Sequence, residues 1–208
     1  NKFWMFKLMG KYTFNKSLFD FKNQKFIKLL GTGSKEGFSV FPDFSNYILI
    51  SAWENDKDRE KFIKTHKVMS NITDKCFERT EIKIDPYESK GSWNNSNPFD
   101  NKSDYKNEKI LIITRARVRF KKMLDFLIST SKASKSIKHH DGAIFYKGVG
   151  ELPIIEQATI SIWESEEKMK LYAYNNSEHM KIISKARKRK WYSEELFVRC
   201  NILHIKNI

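Results

Sequence analysis

The feature that most constrains this chain is an internal echo. Ile50-Ser51-Ala52-Trp53-Glu54 returns as Ile160-Ser161-Ile162-Trp163-Glu164, 110 positions later, and at the same offset Phe62 matches Tyr172 in the stretch that follows. Each copy is preceded by a Gly-x-Gly segment, Gly31-Thr32-Gly33 and then Gly148-Val149-Gly150. The surroundings match as well: a strand-like run, then a polar cap residue, then apolar residues at helical spacing. Duplication is the economical account of such a repeat. It predicts an α+β chain of two tandem ferredoxin-like halves, each a β-α-β-β-α-β unit, whose two sheets face each other and enclose a barrel. The halves are expected at residues 1–84 and 108–208. Residues 85–107, rich in Asp, Asn, Ser, Pro and Gly, read as a linker between them. Trp93 and Phe99 are out of place in a solvated linker, so at least one is expected to pack back on the body.

Along the first half the spacing predicts a helix within 4–21, strands over 25–30 and 46–53, a helix from Asn55 or Asp56 with Phe62, His66 and Met69 on one face, and a strand over 77–84. The second half reads as a strand over 109–120, a helix over 121–136, strands over 142–146 and 158–163, a helix capped by Ser165 and resumed at Ser177, and a last strand over 196–205. The 208 residues include 16 Phe, 8 Tyr and 5 Trp, enough apolar surface for a sizeable core. No apolar run approaches the roughly 18 residues that span a bilayer. Cys76 and Cys200 form neither a disulfide framework nor a zinc pattern, and a reducing, cytoplasmic setting is expected. The chain opens at Asn1 with no Met, so a processed or trimmed start is expected.

The net charge is +14, with 39 Lys and Arg against 25 Asp and Glu. Most of it is scattered, as on an ordinary lysine-rich surface. The dense run is 185–190, whose cations also suit a helix C-terminus. Nucleic acid is not expected as a partner, because the aromatics sit at core-like positions and no recognition motif accompanies the charge.

For chemistry, Gly148-Val149-Gly150 leads toward a strand and reads as a turn, not a dinucleotide fingerprint. His139 and His140 read as exposed residues at a helix end, His204 stands without a motif, and His66 reads as a core histidine. His179 shares an apolar stripe with Ile183 and Ala186 near the start of a helix. There the helix dipole favours a neutral imidazole, as an iron or zinc ligand requires, and a packed core histidine is the other reading. Arg115, Arg117 and Arg119 alternate along one strand face. That face is either exposed or brings one arginine to a cavity to hold a carboxylate.

Taken in order, Thr114-Arg115-Ala116, Gly148-Val149-Gly150-Glu151-Leu152-Pro153, Gln157 through Trp163, Tyr172-Ala173-Tyr174 followed by His179, and Trp191 through Arg199 resemble the spheroidene monooxygenase family. Residues 28–33, Gly37-Phe38 with Pro42-Asp43, Trp53-Glu54, and Gly91-Ser92-Trp93 with Pro98-Phe99 fit the same family. The resemblance implies a haem-dependent monooxygenase of carotenoid biosynthesis, introducing a keto group by hydroxylation beside a polyene, and a dimeric α/β-barrel-type fold with its two halves in one chain. It implies His179 as axial iron ligand, with Trp163, Tyr172 and Ile183 around the haem. Arg115 is implied at a haem propionate or in the distal pocket. Its implied partners are a long apolar substrate, molecular oxygen, an electron donor such as a ferredoxin, and a peripheral membrane contact at the inner face. The readings kept beside it are peroxidase- or dehydratase-like haem chemistry on a smaller substrate, a haem-binding protein without turnover, and a barrel for some other ligand. Cys200 stands where the family usually has an aromatic, and the first strand of the N-terminal half is short or absent.

Overall fold

Strand alternation and capping side chains set the element boundaries in the computed structural model. It describes residues 3–34, 39, 41–99, 103–106, 108–136, 141–151, 156–175 and 177–207, excepting the side chains of 130–136, 175 and 177–179. The elements are α1 (Trp4–Phe14), β1 (Gln24–Gly33), β2 (Pro42–Trp53), α2 (Asp56–Thr65), α3 (Lys67–Lys75), β3 (Thr80–Gly91), β4 (Ile110–Val118), α4 (Met123–Ser136), β5 (Ala143–Gly150), β6 (Glu156–Trp163), α5 (Glu166–Asn175), α6 (Ser177–Arg189) and β7 (Tyr192–Asn207).

Some boundaries differ from the sequence reading. The helix expected from residue 56 onward is two helices, because His66 leaves helical geometry and caps α3, its Nδ1 accepting from the Val68 amide at 3.3 Å. Beyond α1, Lys16–Phe19 form a 3-10 turn. β3 runs on to Gly91, through the first residues expected to be linker. Pro86 is tolerated there because β3 is an edge strand, and a register shift follows between Pro86 and Glu88.

The seven strands form one antiparallel sheet in the order β2-β1-β5-β6-β4-β7-β3. The C-terminal half supplies β5-β6-β4-β7, the full ferredoxin-like pattern. The N-terminal half supplies three strands: β1 and β2 join β5 at one side, and β3 joins β7 at the other. β2 and β3 are therefore the sheet's two edges.

The duplication holds at atomic detail. Trp53 Nε1 donates to Ser51 Oγ at 2.9 Å, and Trp163 Nε1 donates to Ser161 Oγ at 2.9 Å. The Trp53 ring packs on Phe62 at 5.1 Å between centroids, and Trp163 packs on Tyr172 at 5.3 Å. Asn55 caps α2 through the Asp58 amide, and Ser165 caps α5 through the Lys168 amide.

Because side chains alternate along strands, the sheet has two unlike faces. Its inner face gathers Leu30 and Ile50 from the first half with Leu111, Ile113, Val149, Ile160, Ile162, Leu196 and Val198 from the second. Trp93 and Phe99 both pack into this core, against Phe26 at 5.1 and 5.7 Å between centroids. The interior is thus filled with side chains. Its outer face carries the helices, with α1, α2 and α3 over the first half and α4, α5 and α6 over the second.

Candidate functional site

The two helical layers do not cover the sheet equally, and the difference locates the candidate site. In the first half α1 lies on β1 and β2 and buries Leu8 and Tyr12 with Ile27, Leu29 and Phe62. Met9 Sδ stands 3.5 Å from where a Cβ on Gly31 would be. In the second half the equivalent helix, α4, packs against α6 instead. Phe126 of α4 meets Val118, Ala186 and Trp191 at one end of β4. At the other end α5 covers Ile110 and Ile112 with Met169 and Tyr172, and Trp163 fills the same cluster.

Between these two clusters the outer face of β4 is reached by solvent. Ile110, Ile112 and Val118 are buried, yet Thr114 is exposed and Ala116 half-buried, in a strand hydrogen-bonded on both sides. Directly opposite Thr114 are Thr159 and Phe197, and opposite Ala116 are Gln157 and Glu195. In the next strand Gly148 pairs with Thr159 and Gly150 with Gln157. Thr114, Ala116, Thr159 and Gly150 thus floor a shallow cleft, bordered by Phe197, Gln157 and Glu195. The Gly148-Val149-Gly150 motif alternates across the sheet: Val149 fills the inner core at 2% exposure, while the glycines lie on the outer face, Gly148 buried and Gly150 half-buried.

The expected site residues fall in different places. Trp163 and Tyr172 pack against each other at a 35° tilt in the buried cluster beside the floor, and Ile183 is half-buried on α6. His179 belongs to the first turn of α6, and its side chain lies outside those described. His139 and His140 also fall outside the described residues. His66, which caps α3 against Phe62 at 4.8 Å, has its basicity lowered by burial. Among the described residues no three His, Cys, Asp or Glu side chains are grouped to hold a metal ion.

Arg115 is brought together with none of these. It alternates with Thr114 and so points to the inner face, where it is 1% exposed. Its guanidinium pairs with Glu194, lies 3.6 Å from Glu156, and sits over the Trp93 ring at 5.5 Å. Among the described residues its Nε and Nη2 have no hydrogen-bond partner. Arg117 also reaches Glu156, at 2.8 Å, and Arg119 donates to the Tyr192 carbonyl. The carboxylate that Arg115 holds is thus the protein's own. Burial opposes ionisation of Glu194, but the Asn95 amide, the Arg115 guanidinium and the Ser92 hydroxyl outweigh it and bring its pKa down to about 2.

Trp93 extends this network, its Nε1 donating to Glu151 at 2.7 Å, and Glu151 in turn pairs with Lys28 of β1 at 2.5 Å. A cavity of about 230 Å³ beside them is lined in part by Lys28, Asn94, Glu151 and Glu156. Fixed charges of both signs there join the two halves and the 92–99 segment. Sequence reasoning missed the network because its partners lie as much as 123 positions apart.

Comparison with known proteins gives a consistent result in sequence. The chain is 29% identical over 182 residues to the spheroidene monooxygenase of Rhodobacter capsulatus, covering 86% of this chain and 76% of that protein. It is 27% identical over 199 residues to the spheroidene monooxygenase of Cereibacter sphaeroides, covering 94% of this chain and 61% of that protein. The chain therefore spans only part of these relatives. No family model matches it. Among solved structures, a Fusobacterium nucleatum protein assigned as a monooxygenase aligns over 97% of this chain and 86% of its own at 9% identity, with a TM-score of 0.45, a likeness of outline only. By sequence, then, the chain is similar to the spheroidene monooxygenases over most of its length.

Proposed function

We propose that this chain is a haem-dependent monooxygenase acting on a carotenoid or another long apolar molecule, with the haem seated in the cleft on the outer face of the second half. The observation that carries the reading is the bare stretch of β4. A duplicated fold closes this layer with α1 in one copy and leaves Thr114 exposed in the other. A floor of small residues, Thr114, Ala116, Thr159 and Gly150, leaves room for a planar macrocycle, and the packed Trp163–Tyr172 pair gives it a rigid, apolar wall. His179, at the start of α6, is the axial ligand in this reading. It precedes Ala186 by seven residues, about 10 Å of helix, while Thr114 precedes Val118 by four residues, about 13 Å of strand, so both depart by similar lengths from the shared Val118–Ala186 contact.

When bound, haem would supply activation of molecular oxygen, with electrons from a donor such as a ferredoxin. The chain's own contribution is positional. The helix N-terminus disfavours imidazolium and keeps His179 a neutral ligand. The apolar wall excludes water and admits a substrate with no polar handle. Arg115 has no direct part in this scheme. Through Glu194 it holds β4 and β7 in register under the floor. A peripheral approach to the inner face of a membrane, where an insoluble polyene is held, completes the proposal.

The test is an absorption spectrum after reconstitution with hemin, oxidised and then reduced with dithionite, with and without carbon monoxide. A Soret band that shifts with each step is expected for the intact chain and lost in His179→Ala. Thr114→Trp, which fills the floor, should also block haem uptake while leaving the circular dichroism unchanged. Absence of a Soret band from the intact chain would refute the reading, and a band unaffected by either substitution would move the site elsewhere.

A further inference from the structure

The outer surface of α4 reverses the usual arrangement of a surface helix, in which polar residues face water. Leu124 and Ile128 are 76% and 73% exposed, and Phe120, in the turn just before the helix, is 80% exposed. The three are spaced by four residues and so stand in one line along the helix. The opposite side is conventionally packed, with Phe126 buried against Trp191. Three large apolar side chains in a row are therefore presented outward by a helix whose inward face is already satisfied.

Cations border that line. Arg119, Lys121 and Lys122 surround Phe120 in sequence, and at about 100° per residue Lys121 falls beside Leu124 and Ile128. On the side of Asp125 and Ser129 runs α6, which brings Lys185 and Arg189. Its last turn carries Arg187, Lys188 and Arg189. The acid in the border, Asp125, is consumed by Arg189 at 2.6 Å and Lys185 at 3.4 Å, and accepts from Trp191 Nε1 at 2.7 Å. An apolar line edged by basic side chains is complementary to a surface that is anionic at its headgroups and apolar just beneath. A soluble acidic protein would match the cations but leave Phe120, Leu124 and Ile128 in water.

We propose that the Phe120–Leu124–Ile128 line is a docking surface for an anionic lipid bilayer, with the three side chains entering the headgroup region and Lys121, Lys122 and the cations of α6 resting on lipid phosphates. The proposal rests on the proposed function only for its purpose, which is to bring a membrane-dissolved substrate to the cleft on the same helical layer. The 185–190 run, explained in sequence by the helix dipole alone, acquires a partner through its place beside α4.

The experiment is flotation of the full chain with phosphatidylcholine vesicles, with and without phosphatidylglycerol, comparing the intact protein with Phe120→Ser/Leu124→Ser/Ile128→Ser and with Lys121→Glu/Lys122→Glu. The substituted side chains are exposed, so circular dichroism and thermal midpoint should stay unchanged and report intact folding. Expected are binding that needs phosphatidylglycerol and weakens with salt, and a loss on the order of tenfold or more in each variant. Failure of the intact chain to float, or flotation equal in the serine variant, would overturn the proposal. So would a dimer in sedimentation that the serine substitutions dissolve, which would assign the line to a second copy. Carotenoid conversion in detergent micelles separates the two readings. Its absence with lipid binding intact removes the proposed function alone, while full conversion without lipid binding removes the docking surface alone.

Discussion

Replacing Glu194 with Gln tests the energetics of the inner-face network. Its carboxyl is ionised beside Arg115 with side-chain exposures of 8% and 1%, and its pKa is held at about 2 against an ordinary value of 4.5. A depression of that size corresponds to roughly 3 kcal/mol at neutral pH. Breaking a buried pair from one side independently suggests about 3–5 kcal/mol, because Arg115 keeps its charge. Glu156, 3.6 Å from the same guanidinium, offsets part of this, so about 3 kcal/mol is expected. In a chain of this size that corresponds to a fall of about 6–12 °C in thermal midpoint. The folded pKa lies below the unfolded one, so this stability is fully present above about pH 4.5 and is lost as pH falls toward 2. Urea unfolding of both proteins at neutral pH and at about pH 3 is the assay. The gap should narrow on acidification, and Arg115→Met/Glu194→Leu should lose less than Glu194→Gln. A gap under about 1 kcal/mol at neutral pH, or one of constant size at both, would refute the reasoning.

Gly91, at φ +101°, ends β3 where an added Cβ would stand 2.1 Å from the Glu195 carbonyl oxygen. Gly91→Ala should cost more than about 2 kcal/mol and shift Trp93 emission toward that of exposed indole, with unchanged emission and thermal midpoint as the contrary result. Ser161→Ala removes the acceptor of a buried Trp163 hydrogen bond and should cost about 1–2 kcal/mol in urea unfolding, whereas Ser51→Ala, at the partly buried counterpart, should cost less; the reverse order would contradict the burial argument. Cys76 is exposed, and Cys200 is buried with its thiol pushed up by burial and by Asp85. A thiol-reactive dye should therefore label Cys76 in the native protein and Cys200 only after unfolding.

The sequence by itself determined the duplication. Trp53 and Trp163, with their serines two positions before and their ring partners nine after, sit in matched pockets because the same short pattern directs the same strand-to-helix packing. Alternation also sorted the strand faces correctly: it put Arg115 opposite Thr114. It could not say which face water would reach, and the resemblance placed Arg115 with the haem residues across the sheet. Burial of Arg115 depends on Glu194, Glu156 and Trp93, which only tertiary folding brings to it. Nor does local pattern record that α1 lies down on its sheet while α4 leans on α6. That choice is made by packing between elements far apart in sequence, and it leaves Thr114 exposed on the outer face.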